Sequence, residues 1–317
     1  MGDFGAEHKA VLVPEVLTAL NVKASGSYLD ATFGRGGHAE AILNELIADG
    51  RLICLDRDPA AIACARARFA ADSRVRIYHA RFSQLAECAD AVEPGLKLDG
   101  ILFDLGVSSP QLDEAERGFS FMQDGPLDMR MSAGEGPSAA DVVNGASEAE
   151  LARIFRELGE ERHAARIARA IVADRKTRPF ERTTQLAELA VRITRSRERH
   201  KHPATRVFQA LRIYVNGELA ELERGLSAAL ERLAPHGRLA VISFHSLEDR
   251  MVKQFMRRHA SVDPVYAGLP DIPAHARPKL RLAGKSVEPG PEEIASNPRA
   301  RSARLRAAER LTQGLAA

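Results

Sequence analysis

The sequence predicts an α/β protein that is built on a mostly parallel sheet and carries an inserted helical segment. Short apolar runs typical of strands alternate with runs of helical periodicity, and this alternation is the signature of βαβ units. In the middle of the chain the alternation stops at an irregular stretch, residues 112–136. From there to about residue 205 only helical patterns follow. We therefore expect a sheet domain formed by residues 1–111 and 206–317, with residues 112–205 as the helical insertion.

The first part of the chain begins with a short helix, which Pro14 would open because proline suits a first helical turn. Strands are then expected at 27–31, 51–56, 75–80 and 98–104, with helices at 39–48 and 58–70. Right-handed crossovers bring the ends of such strands to one edge of the sheet, where ligands bind. Phe82, after the third strand, and Asp104, after the fourth, would both line that crevice.

Helices dominate the elements expected between residue 147 and residue 233, and a further strand and helix follow them. Ser147 with Glu150 three residues on is a capping-box pattern that predicts helices up to about residue 174. Another helix is expected at 183–194, and a long helix from Pro203 to about Leu233. The remaining expectations are a strand at 238–244, a helix at 246–258, extended loop and hairpin at 259–298, and either a strand or a helix at 301–309.

A glycine-rich turn between the first strand and its helix is the stretch around which the chain is organised. It contains Gly34, Gly36 and Gly37, and glycine reaches positive φ and lets a ligand approach the backbone closely. Asp56 ends the second strand, where a carboxylate is placed to accept hydrogen bonds from ribose hydroxyls. Strand, turn, helix, strand and terminal acid in this order predict a nucleotide-cofactor site rather than a tight loop without a ligand.

The turn does not by itself decide between two cofactors. The nicotinamide fingerprint is G-x-G-x-x-G, whereas the run here is G-x-G-G-H, ending at His38. An acid, Asp30, stands at the start of the turn. Such an acidic strand end is more typical of an S-adenosylmethionine site, in which the carboxylate lies near the cationic methionine portion.

Composition describes an ordinary globular protein, with 317 residues of which 45% are hydrophobic and 28% charged. No apolar run approaches the ~20 residues of a membrane-spanning helix, and the polar residues 1–8 are no secretory signal. Cys54, Cys64 and Cys88 form no C-x-x-C pair. We therefore expect reduced thiols in a cytoplasmic protein, and no metal site and no membrane contact.

Charge is distributed unevenly along the chain. The net charge is −11 over residues 1–152, +8 over 153–206 and +7 over 250–317. An acidic half beside two basic segments favours a polyanionic partner such as nucleic acid. We expect reversal of four charges in the first basic segment to weaken RNA binding: Arg195, Arg197, Arg199 and Lys201.

Long runs of this sequence resemble the RsmH (MraW) methyltransferase family. These runs are Thr32–His38, Asp56–Pro59, Asp104–Gln111, Arg117–Met122, Gly125–Arg130, Lys201–Arg206, Ser243–Arg250 and Asn297–Arg301. They are specific and span nearly the whole chain. The resemblance implies a class I S-adenosylmethionine-dependent methyltransferase fold, Rossmann-like, whose helical insertion helps to hold the substrate. It also implies methylation of N4 of a cytidine in 16S ribosomal RNA, near the decoding centre of the small subunit.

Carried over position by position, the resemblance implies seven contacts to S-adenosylmethionine: Gly36, Gly37, His38, Asp56, Phe82, Asp104 and Gln111. His38 and Gln111 rest on the resemblance alone.

Asp104 is also the candidate catalytic residue, because a hydrogen-bond acceptor aimed at the target amine localises its lone pair and stabilises developing positive charge. Other amino-methyltransferases have an (Asp/Asn/Ser)-Pro-Pro-aromatic run at this strand end, but here Leu-Gly-Val follows Asp104. Phe119 and Phe121 are candidates for the missing stacking aromatic, with a core role expected for one of them.

Three alternatives stay open from the sequence. A nicotinamide-dependent oxidoreductase would explain the glycine turn and Asp56, but not the two basic segments. A non-catalytic RNA-binding or assembly factor could retain a cofactor pocket, and a methyltransferase could act on DNA or protein. The target nucleotide, the use of naked RNA or an assembled subunit, and the oligomeric state, with a homodimer among the options, are not fixed by the sequence.

Overall fold

The computed structural model describes residues 10–132, 134–194 and 202–312. By its packing the chain divides into two compact units. The first unit combines residues 1–106 with residues 220–317, and the second unit is residues 107–219.

The first unit is built on a sheet whose strands, within the described residues, follow the order β3-β2-β1-β4-β5-β7-β6. The strands are β1 Ser27–Asp30, β2 Arg51–Asp56, β3 Val75–His79, β4 Leu98–Asp104, β5 Leu233–Ser243, β6 Leu280–Leu282 and β7 Arg304–Arg310. Strands β1 to β5 pair in parallel, while β7 and β6 are antiparallel. The predicted α/β class with a mostly parallel sheet is therefore confirmed, and the final segment is a strand.

The helices follow the predicted alternation in the first unit and dominate the second. They are α1 Val13–Leu20, α2 Gly37–Glu45, α3 Pro59–Phe69, α4 Leu85–Val92, α5 Ser109–Asp113, α6 Ala139–Gly145, α7 Glu148–Glu157, α8 Ala164–Asp174, α9 Thr183–Thr194, α10 Thr205–Asn216, α11 Glu218–Arg232, α12 Ser246–His259 and α13 Pro291–Ser296. No described helix is both long and apolar enough to span a membrane.

Both faces of the central sheet are covered. Along β4 the side chains of Ile101 and Phe103 enter one core, which α4, α11 and α12 cover, and Leu102 enters the other, which α1, α2 and α3 cover. All three side chains are fully buried. Burying one such side chain contributes about 1.5–3 kcal/mol, so the apolar run of β4 fixes the strand in the middle of the unit.

The second unit has its own helical core, with Phe155, Ile167 and Leu186 fully buried in it. The hydroxyl of Ser147 accepts a hydrogen bond from the Glu150 N–H at 3.2 Å, as the capping pattern predicts. The irregular stretch before α6 is held by Asn216. Its side chain donates to the Met129 carbonyl at 2.7 Å and accepts from the Met131 N–H at 2.9 Å.

The prediction of a single long helix from Pro203 to about Leu233 is wrong. The chain breaks at Gly217, whose φ of 61° lies in the left-handed region, and α10 and α11 are separate helices. The apolar stripe that suggested one helix serves two cores: Val207 packs in the second unit and Leu222 in the first. This division explains why the second unit reaches residue 219, whereas the predicted insertion ended at 205.

Smaller differences concern short segments and the start of one strand. Helices α6 and α13, for example, were not predicted, because 7 and 6 residues give too little periodicity to detect. Strand β5 starts at Leu233 rather than at 238, and it shifts register between the pairings of Leu98 and Gly100.

Candidate functional site

The carboxyl ends of five parallel strands form one edge of the sheet in the first unit. Reading along the strand order, this edge presents Phe82 after β3, Asp56 at the end of β2, Asp30 on β1, Asp104 on β4 and Phe244 after β5. The structure therefore brings Phe82, Asp56 and Asp104 to one edge, together with the glycine turn that follows β1. We call this row of five residues the carboxyl edge.

Each glycine of the turn is required for its own structural reason. A Cβ added to Gly36 would lie 2.5 Å from the Phe33 ring, and one on Gly37 would lie 2.6 Å from the Ala10 Cβ, so close packing excludes side chains there. Gly34 has a φ of 56°, and the nearest atom to an added Cβ is a carbonyl oxygen 3.9 Å away. Of the three, only Gly34 has open space where a Cβ would lie.

Asp56 holds the turn as well as ending its strand. Its Oδ2 accepts the Gly34 N–H at 2.8 Å, and its Oδ1 accepts the Asp58 N–H at 2.8 Å. Burial raises the pKa of Asp56 to about 6 despite these hydrogen bonds, which favour the ionised form. The Arg57 N–H is a third backbone donor to this carboxylate, which offers about four acceptor sites, so one site remains for a hydroxyl group.

The side chains of Asp104, on the carboxyl edge, and His38, in the first turn of α2, lie next to each other. His38 is 5% exposed, and its Nε2 lies 2.8 Å from the Val11 carbonyl oxygen, to which it must donate. The Nδ1 atom then carries a lone pair and lies 3.5 Å from the Asp104 Oδ2, so this contact is a hydrogen bond only when the Asp104 carboxyl group is protonated and donates. Burial lowers the pKa of His38, so the ring is neutral and supplies no charge to Asp104.

The other oxygen of Asp104, Oδ1, is buried without a hydrogen-bond partner in the described part of the chain. The side chain as a whole keeps 26% of its surface accessible. Burial, with a smaller effect from the Glu248 carboxylate, raises the pKa of Asp104 to about 7. A buried, unsatisfied carboxyl oxygen is costly and marks a place where a ligand supplies the missing partner.

Asp30 adds a second acid next to this pair. It is 1% exposed, and its Oδ1 accepts the Thr32 N–H at 3.1 Å. Burial raises the pKa of Asp30 to about 6, while its attraction to His38 acts in the opposite direction. Three acids with raised pKa values, on neighbouring strands, fit a ligand that carries both hydroxyl groups and a positive charge. S-adenosylmethionine has both, so these residues fit the cofactor.

Phe82 lies at one end of the carboxyl edge. Its ring packs edge-to-face on Phe103, with centroids 5.6 Å apart, and an added Cβ at Gly225 would come within 2.7 Å of it. The ring is partly buried, so one part of it remains open for a flat ligand. Its role as a cofactor contact stays a prediction, as do those of the other residues on the edge.

Gln111 belongs to the second unit. It is 5% exposed, and its Oε1 accepts the Ser108 N–H at 3.0 Å at the start of α5. The two aromatic candidates also belong to that unit. Phe119 is buried in the helical core, so it is the one with the core role. Phe121 stacks on the exposed ring of His202 with centroids 4.6 Å apart.

Only some of the basic side chains that are predicted to bind RNA belong to the residues that the structure describes. Arg195, Arg197, Arg199 and Lys201 lie outside the described residues. Around α8, four exposed cations have no ion-pair partner in the ranges that the structure covers: Arg162, Arg166, Lys176 and Arg178.

Two residues beside this edge were not considered from the sequence, namely Phe244 directly after β5 and Glu248 in the first turn of α12. The run Ser243–Arg250 contributed to the family resemblance, but no role was assigned to it. The signal was available, because β5 is a buried strand of the same parallel sheet and its carboxyl end must reach the same edge.

Comparisons with known proteins identify the family of the chain. Residues 5–311 match the MraW methylase family. The ribosomal RNA small subunit methyltransferases H of Shewanella amazonensis and Shewanella loihica are 53% and 54% identical to this chain over 306 residues, which are 96% of this chain and 97% of each relative. Among solved structures, the match to a putative rRNA methylase from Clostridium thermocellum covers 98% of this chain and 100% of that protein. Its TM-score is 0.43 and its sequence identity is 12%, so we draw no conclusion about this chain from it.

The family match excludes the nicotinamide oxidoreductase and confirms the resemblance seen in the sequence. The chain therefore belongs to the MraW methylase family and is a class I methyltransferase that uses S-adenosylmethionine.

Proposed function

We propose that this methyltransferase modifies N4 of a cytidine in 16S ribosomal RNA, near the decoding centre of the small subunit. The proposal is supported by the relatives of the chain, which are named ribosomal RNA small subunit methyltransferase H and match it over nearly their whole length. Ribosomal RNA as the substrate also implies a cytoplasmic enzyme. The observation that carries the choice of an amine is the buried, unpartnered Oδ1 of Asp104.

The residues of the carboxyl edge divide the work of binding. Asp56 would accept the ribose hydroxyls, and Phe82 would contact the adenine ring. Backbone N–H groups in the first turn of α2, at Gly37 and His38, point out of the helix and add donors near the turn. Asp30 would stabilise the positive charge near the reactive end. When bound, S-adenosylmethionine supplies an electrophilic methyl group.

Asp104 would act on the target amine. The lone pair of N4 is delocalised into the cytosine ring, and an acceptor that binds an N4–H localises it. After N4 has gained a carbon it must lose one proton, and the Asp104 carboxylate would take it. A pKa of about 7 makes Asp104 a better base than an ordinary carboxylate.

The test is transfer of labelled methyl groups to small ribosomal subunits from cells that lack the enzyme, with mass spectrometry of the recovered RNA. We expect one methyl group per subunit, on N4 of a cytidine near the decoding centre. Naked 16S RNA assayed in parallel shows whether the assembled subunit is needed. Methyl transfer to another base, or no transfer to either RNA substrate, would contradict the proposal.

A further inference from the structure

The aromatic that amino-methyltransferases carry directly after the acid is absent here, because Leu105, Gly106 and Val107 follow Asp104. Phe244 stands at the neighbouring strand end. In the ladder between β4 and β5, Asp104 pairs with Ile242, and the Leu105 N–H donates to the Ile242 carbonyl at 3.0 Å. Phe244 is therefore the second residue beyond the partner of Asp104, on the adjacent strand.

The ring of Phe244 lies over the backbone of Gly106. A Cβ added to Gly106 would be 3.4 Å from the Phe244 Cδ2, and the φ of Gly106 is +101°, which excludes most other residues. The position after Leu105 thus has no side chain of its own, and the ring from β5 covers it. Phe244 is only partly buried, so one part of the ring faces away from the core.

Glu248 fixes the backbone that carries this ring. Its carboxyl group is 3% exposed, and Oε2 accepts the Phe244 N–H at 2.8 Å and the His245 N–H at 3.3 Å. Two hydrogen bonds donated to one buried carboxyl group hold the turn between β5 and α12. The backbone that carries the ring is therefore fixed before any substrate arrives.

The order of residues along the carboxyl edge indicates what the ring meets. Phe82 and Asp56 lie at one end, Asp30 and Asp104 follow, and Phe244 comes next. Neighbouring strands are about 4.8 Å apart, so Phe244 lies roughly one strand spacing beyond the acid that would bind the amine. A base whose N4 contacts Asp104 must extend from that acid, and an aromatic ring there offers a stacking surface.

We propose that Phe244 is the aromatic residue that stacks on the target cytosine and that Glu248 is the residue that positions it. This inference rests on the proposed function, because it assumes that the base reaches Asp104. It assigns to the neighbouring strand the role that other amino-methyltransferases give to the residues directly after the acid.

The first test compares Phe244→Leu, Phe244→Tyr and Phe255→Leu in methyl transfer at subsaturating subunit concentration. We expect Phe244→Leu to lose about ten- to a hundredfold, the effect of losing one base–aromatic stack. Phe244→Tyr should keep the rate, because it keeps the ring. Phe255 is a partly buried phenylalanine on α12 whose ring pairs with His259, so Phe255→Leu is the matched control.

Cofactor affinity by calorimetry shows whether each variant is folded and loaded. Wild-type transfer to cytidine with an equally active, folded Phe244→Leu variant would overturn the stacking role alone. No transfer by the wild type would instead overturn the proposed function.

The second test needs no activity. The chain contains no tryptophan, so Phe244→Trp creates a single fluorescent reporter at the proposed stacking position. With S-adenosylhomocysteine bound, we expect a cytidine-containing oligonucleotide to quench its emission, and an oligonucleotide of equal length with an abasic residue at that position to have at most a small effect. The Phe255→Trp protein should respond to neither, and equal quenching by both oligonucleotides would overturn the proposal.

The role of Glu248 is tested in the same reporter background. Glu248→Gln keeps an acceptor oxygen for the two backbone N–H groups, whereas Glu248→Ala removes it. We expect Glu248→Ala to raise the subunit KM about tenfold, to leave kcat within about threefold, and to weaken quenching of Trp at position 244, with Gln intermediate. A normal KM and normal quenching in a folded Glu248→Ala protein would exclude the positioning role.

Discussion

Asp30, Asp56 and Asp104 lie on three neighbouring strands, and burial raises the pKa of each, to about 6, about 6 and about 7. In the free protein each acid is therefore partly protonated near neutral pH. A cation brought to the carboxyl edge favours the ionised form of each acid and lowers its pKa. Cofactor binding and proton release are linked at these residues.

We predict that binding of S-adenosylmethionine releases protons at about pH 6.5, in an amount between a few tenths and one proton. Titration calorimetry in two buffers of different ionisation enthalpy measures this number directly. Above about pH 8.5 the release should vanish, because the acids are already ionised. S-adenosylhomocysteine, which lacks the positive charge, should release fewer protons. Binding heats that are identical in both buffers at the lower pH would contradict this linkage.

Asp104 is the residue for which chemistry and binding are easiest to separate. In Asp104→Asn the amide keeps the shape, but it is a weaker acceptor and cannot take a proton. We expect the single-turnover rate of methyl transfer to fall about 10²–10³-fold, the usual cost of one hydrogen bond made in the transition state. The remaining rate should no longer depend on pH in the range where Asp104 titrates.

The control for this variant is cofactor affinity on the same preparation. Affinity should fall less than the rate, because Gly36, Gly37, Asp56 and Phe82 remain. If saturating cofactor restores the rate fully, Asp104 is a binding residue only. If a folded Asp104→Asn protein turns over normally, Asp104 has no part in the chemistry.

At the scale of elements, the turn between β1 and α2 shows that glycines in one motif have different tasks. Gly36 and Gly34 both have positive φ, but only Gly36 is packed against a buried ring. We predict that Gly36→Ala lowers the thermal stability strongly, because the new Cβ overlaps Phe33. Gly34→Ala should cost only the backbone strain of about 1–2 kcal/mol, which thermal melts measure.

The same pair separates stability from binding. If a ligand approaches the backbone at Gly34, Gly34→Ala should weaken cofactor affinity more than its small loss of stability explains. Equal cofactor affinity in the wild type and Gly34→Ala would show that the ligand does not approach there. Equal melting temperatures of the two variants would show that packing on Phe33 does not require Gly36.

The elements that the sequence predicted well are those with a local physical signal. Pro14, Asp58 and Ser147 mark helix starts through proline geometry and side-chain caps, and the apolar run of β4 marks a buried strand. The break at Gly217 was not predicted, because the apolar periodicity continues across it. Periodicity reports that a face is buried, but not which core buries it.

The site, too, could be predicted only as far as local sequence signals reach. Strand ends could be located, so Asp56, Phe82 and Asp104 were predicted from the sheet edge. The end of β5 could be located in the same way, but its place next to β4 depends on pairing across more than a hundred residues of intervening chain, so Phe244 was not placed beside Asp104. Likewise, the neutral state of His38 follows from its burial, and its contact with the Val11 carbonyl decides which ring nitrogen carries the proton; no local pattern indicates either.

At the scale of the whole molecule, the cations of the second unit differ in whether they are paired within that unit. Many cations of the second unit are already used within it: Arg169 pairs with Glu148, and Arg175 donates to the carbonyls of Val143 and Ala146. Arg162, Arg166 and Arg178, around α8, have no such partner among the described residues and are exposed. Cations that are not neutralised internally are the ones available to phosphate groups.

We predict that reversal of these three charges, in the triple variant Arg162→Glu, Arg166→Glu and Arg178→Glu, weakens binding to small ribosomal subunits and leaves cofactor affinity unchanged. Each phosphate contact that is lost should reduce the slope of log affinity against log salt concentration by about 0.7–0.9, so binding isotherms at several salt concentrations count the contacts. The control for net charge is the same reversal at three exposed cations of the acidic first part of the chain, Arg66, Arg76 and Lys97, of which the last two donate to backbone carbonyls. Equal losses in both triple variants would reduce the effect to net charge, and an unchanged salt slope in the first would exclude α8 from the RNA-binding surface.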